Sequence, residues 1–351
     1  MNIGNKIKQL RLKDGITQEA LANAMGVSCQ SVSKWENNVC APDISLLPAL
    51  SEFFGVTIDE LFDLSTEQKL SRFDNMLEYE SELSDYQYHD AEKFLLNLLP
   101  DYDKKNSDKE KGRIESSLAH LYHHKMMSEG RKVSDYARRA ILLHPEVKQD
   151  QWLLQDSEYA VICDWNCANH NKTIAFFKEV VAANPELPRN YLYLMDNLLA
   201  DHRVDEAKEY FKIYAGLENG SELHRNVYPI RVALAEFKYD DAVKMMEELE
   251  NHSKEKPDVL FDLAGINASL CRYDKAIELY EKSYELDEKP RYYDALWGIS
   301  TIYEIQGRFK DALATWDRIA DNLREEWNCK EGAPMEEVER QKRRIKNCME
   351  K

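Results

Sequence analysis

The stretch TQEALANAMGVSCQSVSKWE, residues 17–36, decides the fold of the N-terminal part of the chain. Thr17 can cap a helix that ends near Gly26, and Ser28 can cap a second one. Only Val27 separates Gly26 from Ser28, so the two short helices must be joined by a tight turn. Two short helices with such a turn form the helix-turn-helix pattern.

Three further helical patterns surround this pair. An amphipathic helix precedes it and ends before Gly15. Pro42 and Asp43 open a fourth helix that closes at Gly55, and Thr57 caps a short fifth one. The sequence therefore predicts five helices within residues 1–64.

This segment resembles the XRE, or Cro/repressor-type, helix-turn-helix family from IGNKIK through GVTIDELF, residues 3–62. The shared features are LR before a glycine, TQEALA, GVS, VSKWE, a Pro-Asp pair and GVTIDELF. The resemblance implies a lambda-repressor-like DNA-binding domain over residues 1–64 and a double-stranded DNA operator as its partner. It also implies a partly buried ion pair between Arg11 and Glu36.

In this fold the third helix lies in the major groove of DNA. Val32 and Trp35 must point inward, so the opposite face of that helix is free to meet DNA. The candidate DNA-binding residues are Gln18, Ser28, Cys29, Gln30, Ser31, Ser33 and Lys34. Among them Gln30 is the best reader, since an amide can donate and accept on one adenine edge.

Two of these candidates come with a second interpretation. Ser28 is first of all a helix cap. Cys29 is a poor hydrogen-bonding residue at a position where the family often has a polar reader. The resemblance implies that Gln18 contacts a backbone phosphate.

The charge of the chain is unevenly distributed. The whole protein has 64 acidic and 47 basic residues, a formal net charge of −17. Residues 1–36 carry five basic and three acidic side chains, whereas residues 67–351 carry 42 basic and 56 acidic ones. Few positive charges predict weak, salt-sensitive DNA binding by one copy, and we expect a homodimer on a pseudo-palindromic site.

A second pattern repeats along the rest of the chain. Four segments align on a small residue that recurs at intervals of 35, 34 and 36, with a large residue four positions later. The small residues are Ala207, Ala242, Ala276 and Ala312, and the large ones are Phe211, Met246, Tyr280 and Trp316. This pattern resembles the tetratricopeptide repeat, in which two helices cross closely at the small side chain.

The predicted fold is therefore all-α, a five-helix domain followed by a tetratricopeptide solenoid. We expect a polar linker at residues 65–71, about seven repeats over residues 72–328, and a C-terminal capping helix at residues 329–351. The expected repeat starts are near residues 72, 114, 154, 188, 223, 257 and 293. The first two repeats, which would close at Pro100 and Pro145, are degenerate, and the third has Thr173 in the small position.

The first helices of such repeats line a concave groove that can hold an extended peptide. Counting from each repeat start, the candidate groove residues are Tyr159, Ile162, Asn166, Arg189, Tyr193, Asp196, Tyr228, Arg231, Phe261 and Trp297. The alternative for the tyrosines is that they pack between repeats.

No cofactor or metal site is expected. Cys163, Cys167 and His170 have a spacing that could place three ligands on one helix face, but no fourth ligand with matching spacing accompanies them. No phosphate-binding loop, dinucleotide fingerprint or catalytic motif is present, so we do not expect an enzyme. Seven scattered cysteines, with no signal peptide or membrane span, favour the cytoplasm.

Together these features resemble the peptide-pheromone-sensing regulators that join an XRE domain to tetratricopeptide repeats. The resemblance implies a dimeric, sequence-specific transcriptional regulator whose solenoid senses a peptide or protein ligand and mediates dimerisation. The alternative is an interaction scaffold that is tethered to DNA and has no small ligand. A regulator of a phosphorelay protein is a third possibility, which the intact helix-turn-helix disfavours.

Overall fold

The computed structural model describes residues 3–62, 66–105, 108–157 and 170–350. Within these ranges the chain forms α-helices joined by turns, without a strand, which confirms the all-α prediction. No helix of the described part is both long and apolar enough to cross a membrane. The chain divides into two compact units, Met1–Lys125 and Met126–Lys351.

The N-terminal domain consists of five α-helices and one 3-10 turn. The α-helices are α1 (Ile3–Lys13), α2 (Gln18–Met25), α3 (Cys29–Glu36), α4 (Leu47–Phe54) and α5 (Ile58–Leu61), and the 3-10 turn at Ile44–Leu46 precedes α4. Their inward side chains form one closed hydrophobic core, in which Ile7, Leu21, Val32 and Leu50 are completely buried. The predicted five-helix domain is therefore present.

The predicted caps set the ends of the central helices. The Thr17 hydroxyl accepts the Ala20 N–H at 3.1 Å. In the same way the Ser28 hydroxyl accepts the Ser31 N–H at 3.2 Å. Gly26 ends α2 in the left-handed conformation, with φ of 66°, which glycine adopts without steric cost. The tight turn between α2 and α3 thus has the chemistry that the sequence indicates.

The stretch predicted as a linker is helical. Helix α6 (Thr66–Tyr79) begins within it, so residues 66–71 are not a separate polar connection. Leu70 and Phe73 on α6 are buried, which gives the stretch an apolar face to pack. The prediction of a linker at residues 65–71 is wrong for this part.

The two degenerate repeats differ from the expected helix pairs. Helix α7 (Asp85–Lys105) continues through Pro100, and α8 (Asp108–Leu143) is one uninterrupted helix of 36 residues. A repeat starting at residue 114 needs a break that separates two helices. Helix α8 has no proline, and its two glycines, Gly112 and Gly130, each cost a helix only about 1 kcal/mol. The second predicted repeat is therefore one long helix.

The next segment agrees with the prediction only in part. Helix α9 (Lys148–Ser157) begins six residues before the expected start at 154, and α10 (Asn171–Ala183) contains the segment KTIAFF. Thr173 is exposed and Ile174 is buried in its place, so Thr173 does not mark a close helix crossing. Residues 158–169 lie outside the described part.

Four regular helix pairs follow. The pairs are α11 (Pro188–Ala200) with α12 (Val204–Ala215), α13 (Glu222–Ala235) with α14 (Tyr239–His252), α15 (Pro257–Ser269) with α16 (Tyr273–Leu286), and α17 (Asp294–Ile305) with α18 (Phe309–Glu325). Their first helices begin within one residue of the expected starts. The aligned alanines Ala207, Ala242, Ala276 and Ala312 are all buried. Helix α19 (Ala333–Met349) packs on α18 at the end of the array.

Each pair turns through one residue with a left-handed backbone. These residues are His202, Phe237, Cys271 and Gly307, with φ between 54° and 71°, and they recur at intervals of 35, 34 and 36 residues. Only one of them is a glycine, although this conformation favours glycine. For that reason the sequence does not show this second periodic feature of the repeat.

Aromatic side chains fill the space between successive helices. Ring centroids lie 5.4 Å apart in the Phe177–Tyr193 pair and 6.2 Å apart in the Phe211–Tyr228 pair. The Phe261–Tyr280 and Trp297–Trp316 pairs lie at 5.4 Å and 5.8 Å. The large residue four positions after the small one therefore packs on a neighbouring first helix.

Candidate DNA-recognition surface and solenoid groove

Helix α3 presents a polar face to solvent. Cys29, Gln30 and Lys34 are exposed, while Val32 and Trp35 on the other side are buried in the domain core. The exposed set contains an amide that can both donate and accept hydrogen bonds, and one cation. This is the arrangement that reading a base edge beside a phosphate requires.

The three serines of this helix have different roles. The Ser28 and Ser31 hydroxyl oxygens lie 2.9 Å apart at the start of α3, where Ser28 also caps the helix. Ser33 is half-buried, and its hydroxyl accepts from the Asn37 amide at 3.4 Å. Ser28 and Ser31 are thus closer to the N-terminal end of the exposed face than Ser33.

An internal ion pair holds α3 against the first two helices. Arg11 Nε and Nη2 donate to the two carboxylate oxygens of Glu36 at 2.5 and 2.9 Å. Arg11 Nη1 also donates to the carbonyl oxygen of Ile16 at 2.6 Å. Burial opposes ionisation of Glu36, but hydrogen bonds from Arg11 and Gln18 outweigh it and lower its pKa. The ion pair that the resemblance implied is present.

Gln18 belongs to the same cluster. Its side-chain N–H donates to Glu36 Oε2 at 2.7 Å, so in the absence of DNA this amide nitrogen is engaged inside the domain. The residue lies in the first turn of α2 and is half-buried. The remaining amide oxygen is only an acceptor. The amide nitrogen has a second N–H, so a phosphate contact by Gln18 does not require its bond to Glu36 to break.

The four helix pairs contain a groove of about 550 Å³ lined by residues of α11, α13 and α15. Its apolar part comes from side chains that include Leu199, Leu234, Phe261 and Ile266. On its wall Arg231 donates to Asp196 at 3.2 Å and to Asp262 at 3.3 Å. The structure thus brings together three of the predicted groove residues, Asp196, Arg231 and Phe261.

Tyr228 does not line this groove as an open surface. Its ring is buried, and its hydroxyl donates to Asp196 Oδ1 at 2.7 Å, with the Leu192 carbonyl oxygen at 3.1 Å. Burial, together with the Asp196 carboxylate, strongly raises the pKa of Tyr228. Tyr228 therefore packs between repeats, which is the alternative given above for the tyrosines. Its hydroxyl holds the Asp196 carboxylate in place.

The remaining groove candidates have several environments. Arg189 is exposed, and Tyr193 is half exposed with its ring stacked on Phe177. Phe261 and Trp297 are each about 40% exposed. Tyr159, Ile162 and Asn166 lie outside the described residues.

Sequence reasoning missed Asp262 and His202, which both line the groove. Asp262 is 31 residues after Arg231, which is shorter than one repeat length, so the repeat register does not predict its position. His202 lies at the left-handed turn after α11. The sequence signals Asp262 only by its position directly after the groove candidate Phe261, and it gives no signal for His202.

His170, one member of the cysteine-histidine set, has a partner that the sequence did not indicate. Its Nδ1 lies 2.6 Å from Asp201 Oδ1, and the Asp201 side chain is only 2% exposed. Cys163 and Cys167 lie outside the described residues. Across the part of the chain that is described, no three histidine, cysteine or acidic side chains are grouped as metal ligands.

Comparison with known proteins places the N-terminal domain in a family. Residues 7–61 match the helix-turn-helix family. The segment is 44% identical over 61 residues to the HTH-type transcriptional activator BcrR of Enterococcus faecalis, a match that covers 17% of this chain and 30% of BcrR. It is 38% identical over 58 residues to an uncharacterised HTH-type transcriptional regulator of Methanocaldococcus jannaschii, of which it covers 88%. The chain belongs to the HTH-type transcriptional regulators.

Across nearly its whole length, the chain has only a distant similarity to solved structures. It aligns with Bacillus thuringiensis PlcR, solved in complex with the peptide PapR7 and DNA, at 13% identity over 90% of this chain and 94% of PlcR. The TM-score of that alignment is 0.22, so the helical pairs described above stand on their own geometry. They resemble tetratricopeptide repeats, and this family member is an XRE-type domain joined to such pairs.

Proposed function

We infer that the protein binds operator DNA sequence-specifically and regulates transcription, with α3 as the helix that enters the major groove. The observation that carries this inference is the exposed face of Cys29, Gln30 and Lys34 on a helix whose other face is fixed in the core. Gln30 can pair with an adenine edge through two hydrogen bonds, and Lys34 can reach a base or a phosphate. A homodimer would place two such helices on successive major grooves.

The test uses DNA that the protein itself selects. The full-length chain is used to enrich binding sites from a randomised duplex library, and affinity for the selected duplex is then measured at fixed salt. We expect Gln30→Ala to cost about 1–3 kcal/mol of specific binding and to relax the preference at one base pair. Lys34→Ala weakens binding as well, through a lost base or phosphate contact.

The matched control is Gln9→Ala, which removes the same side chain from an exposed position on α1. It should leave the selected base preference unchanged. If Gln30→Ala and Lys34→Ala both keep wild-type affinity and base preference, α3 is not the reading helix and the assignment is wrong.

For the solenoid we propose that the groove of α11, α13 and α15 binds a peptide and thereby changes DNA binding. The support is a pocket of about 550 Å³, within the roughly 300–1,000 Å³ typical of ligand sites, with apolar walls and three charged side chains. A ligand shifts an equilibrium only by its differential affinity for two conformations. A peptide that acts as a signal must therefore change operator affinity.

The scaffold alternative makes a different prediction. A scaffold recruits a protein partner whether or not a small ligand is present, so no peptide bound in the groove would alter operator affinity. Measuring operator affinity with and without saturating groove-binding peptide separates the two functions. A change of fivefold or more, about 1 kcal/mol, supports the sensor, and an unchanged affinity supports the scaffold.

A further inference from the structure

The charges in the solenoid groove do not cancel. Asp196 and Asp262 share one guanidinium, that of Arg231, through their Oδ1 atoms. Throughout the described residues, Arg231 is the only cation within ion-pair distance of either carboxylate. The three side chains together therefore carry one net negative charge at the wall of an apolar pocket.

Partial burial of Asp262 makes the excess negative charge unfavourable. The Asp262 side chain is 23% exposed, and loss of hydration raises its pKa by more than Arg231 lowers it. Asp196 is the more exposed of the two, at 47% of its side chain, and Tyr228 fixes it from behind. A second cation near Asp262 would restore the stabilisation that burial removes.

The apolar part of the pocket adds a second requirement. Leu199, Leu234 and Ile266 line the same cavity as the two carboxylates, with Phe261 beside them. An occupant gains affinity there by burying an aliphatic or aromatic group. Its cationic group must then lie within a few ångströms of that apolar group.

Resting on the proposed peptide binding, we propose that the groove selects peptides in which a basic residue adjoins a large apolar one. The basic group meets Asp262 and Asp196, and the apolar side chain fills the pocket between α11, α13 and α15. An acidic peptide would instead have to compete for Arg231 against two carboxylates that already hold it. The ligand class is thus a cationic, apolar peptide.

The experiment selects ligands without assuming a sequence. A random heptapeptide phage library is panned against the immobilised full-length chain, and the affinity of a selected peptide, made synthetically, is measured by fluorescence polarisation. We expect lysine or arginine next to leucine, isoleucine, valine or phenylalanine in the enriched peptides. Asp262→Asn should weaken the selected peptide about tenfold or more, because a charge-assisted hydrogen bond is lost.

Three further variants make the result specific. Asp196→Asn acts at the more exposed carboxylate and should weaken binding in the same direction. Arg231→Gln removes the competing internal cation and should tighten binding of the basic peptide by about threefold or more. Asp321→Asn, on α18, removes one negative charge from an exposed carboxylate outside the groove and should change nothing.

The outcomes are distinguishable. Enrichment of acidic or uncharged peptides, or equal affinity of wild type and both Asp→Asn variants for a basic peptide, overturns the charge assignment and leaves peptide binding standing. Failure to retain any library peptide overturns the proposed peptide binding, and this inference with it.

Discussion

At the scale of single residues, Glu326 is a carboxylate whose pKa is strongly lowered by its partners. Arg291 Nη2 donates to Glu326 Oε1 at 2.5 Å, and the Arg291 backbone N–H donates to Oε2 at 2.8 Å. The Glu326 side chain is 7% exposed. These hydrogen bonds outweigh the cost of burial and lower the pKa of Glu326 to about 2.

This pair predicts a defined dependence of stability on pH. A carboxylate with a lowered pKa stabilises the folded state above the unfolded-state pKa, near 4.5, and that contribution is lost as the pH falls toward 2. At pH 7 Glu326→Gln should lower the free energy of unfolding by about 2 kcal/mol. The difference from wild type should shrink between pH 4.5 and 2, as measured by urea unfolding.

Glu285→Gln is the control for this measurement. Glu285 is an exposed residue on α16, so its neutralisation should leave the pH dependence unchanged. A Glu326→Gln variant that stays parallel to wild type over the whole range would contradict the assigned acidity.

At the scale of helices and turns, two glycines give opposite predictions for the same substitution. Gly130 lies inside α8, and Gly307 lies at the turn after α17 with φ of 71°. A Cβ atom would meet no other atom within 4 Å at either position, so only backbone conformation distinguishes them. Alanine favours the helical backbone and disfavours the left-handed one.

We therefore expect Gly130→Ala to raise the free energy of unfolding by about 0.5–1 kcal/mol. By contrast, Gly307→Ala should lower it by about 1 kcal/mol. Urea unfolding of both variants beside wild type provides the measurement. A shift in the same direction for both would mean that one of the two backbone conformations is wrong.

The elements also show what the sequence can and cannot predict. Helix caps such as Thr17 and Ser28 act through adjacent residues, so the five N-terminal helices could be read directly. The alanine spacing located the four regular pairs for a different reason, because every repeat needs a small side chain where its two helices cross closely. Helix α8 was misjudged because a weak repeat pattern was taken to require a break that no residue in the segment enforces.

Contacts between helices at the groove were harder to predict from the sequence. Whether Tyr228 is buried, and whether Asp262 reaches Arg231, depends on how α11, α13 and α15 pack together. Arg231 lies 35 residues after Asp196, which is one repeat, but Asp262 lies only 31 residues after Arg231, so the repeat register does not predict the second contact. By contrast, the exposed face of α3 follows from helical periodicity once Val32 and Trp35 are known to be apolar.

At the scale of the whole molecule, the charge and the expected dimer determine how DNA is bound. The first 36 residues carry a charge of +2 in a chain of −17, so one domain neutralises few phosphates. The N-terminal domain has its own closed core. It can therefore be prepared alone, as residues 1–62, to separate its affinity from any contribution of the proposed dimerisation.

We expect the isolated domain to bind the selected duplex at least about 100-fold more weakly than the full-length chain, because linked sites gain effective concentration. Sedimentation should show two full-length chains per duplex, and footprinting should show half-sites about 34 Å apart. Equal affinities, or one full-length chain per duplex, would contradict a dimeric regulator.

The cluster of Arg11, Glu36 and Gln18 has a calorimetric consequence. Because it joins α1, α2 and α3 within the domain, the proposed recognition helix α3 needs no folding step on contact with DNA. Coupled folding would add the heat-capacity change of burying roughly 1,000–3,000 Å² to that of the interface. Titration calorimetry at several temperatures should therefore give a heat-capacity change that the protein–DNA contact area alone accounts for.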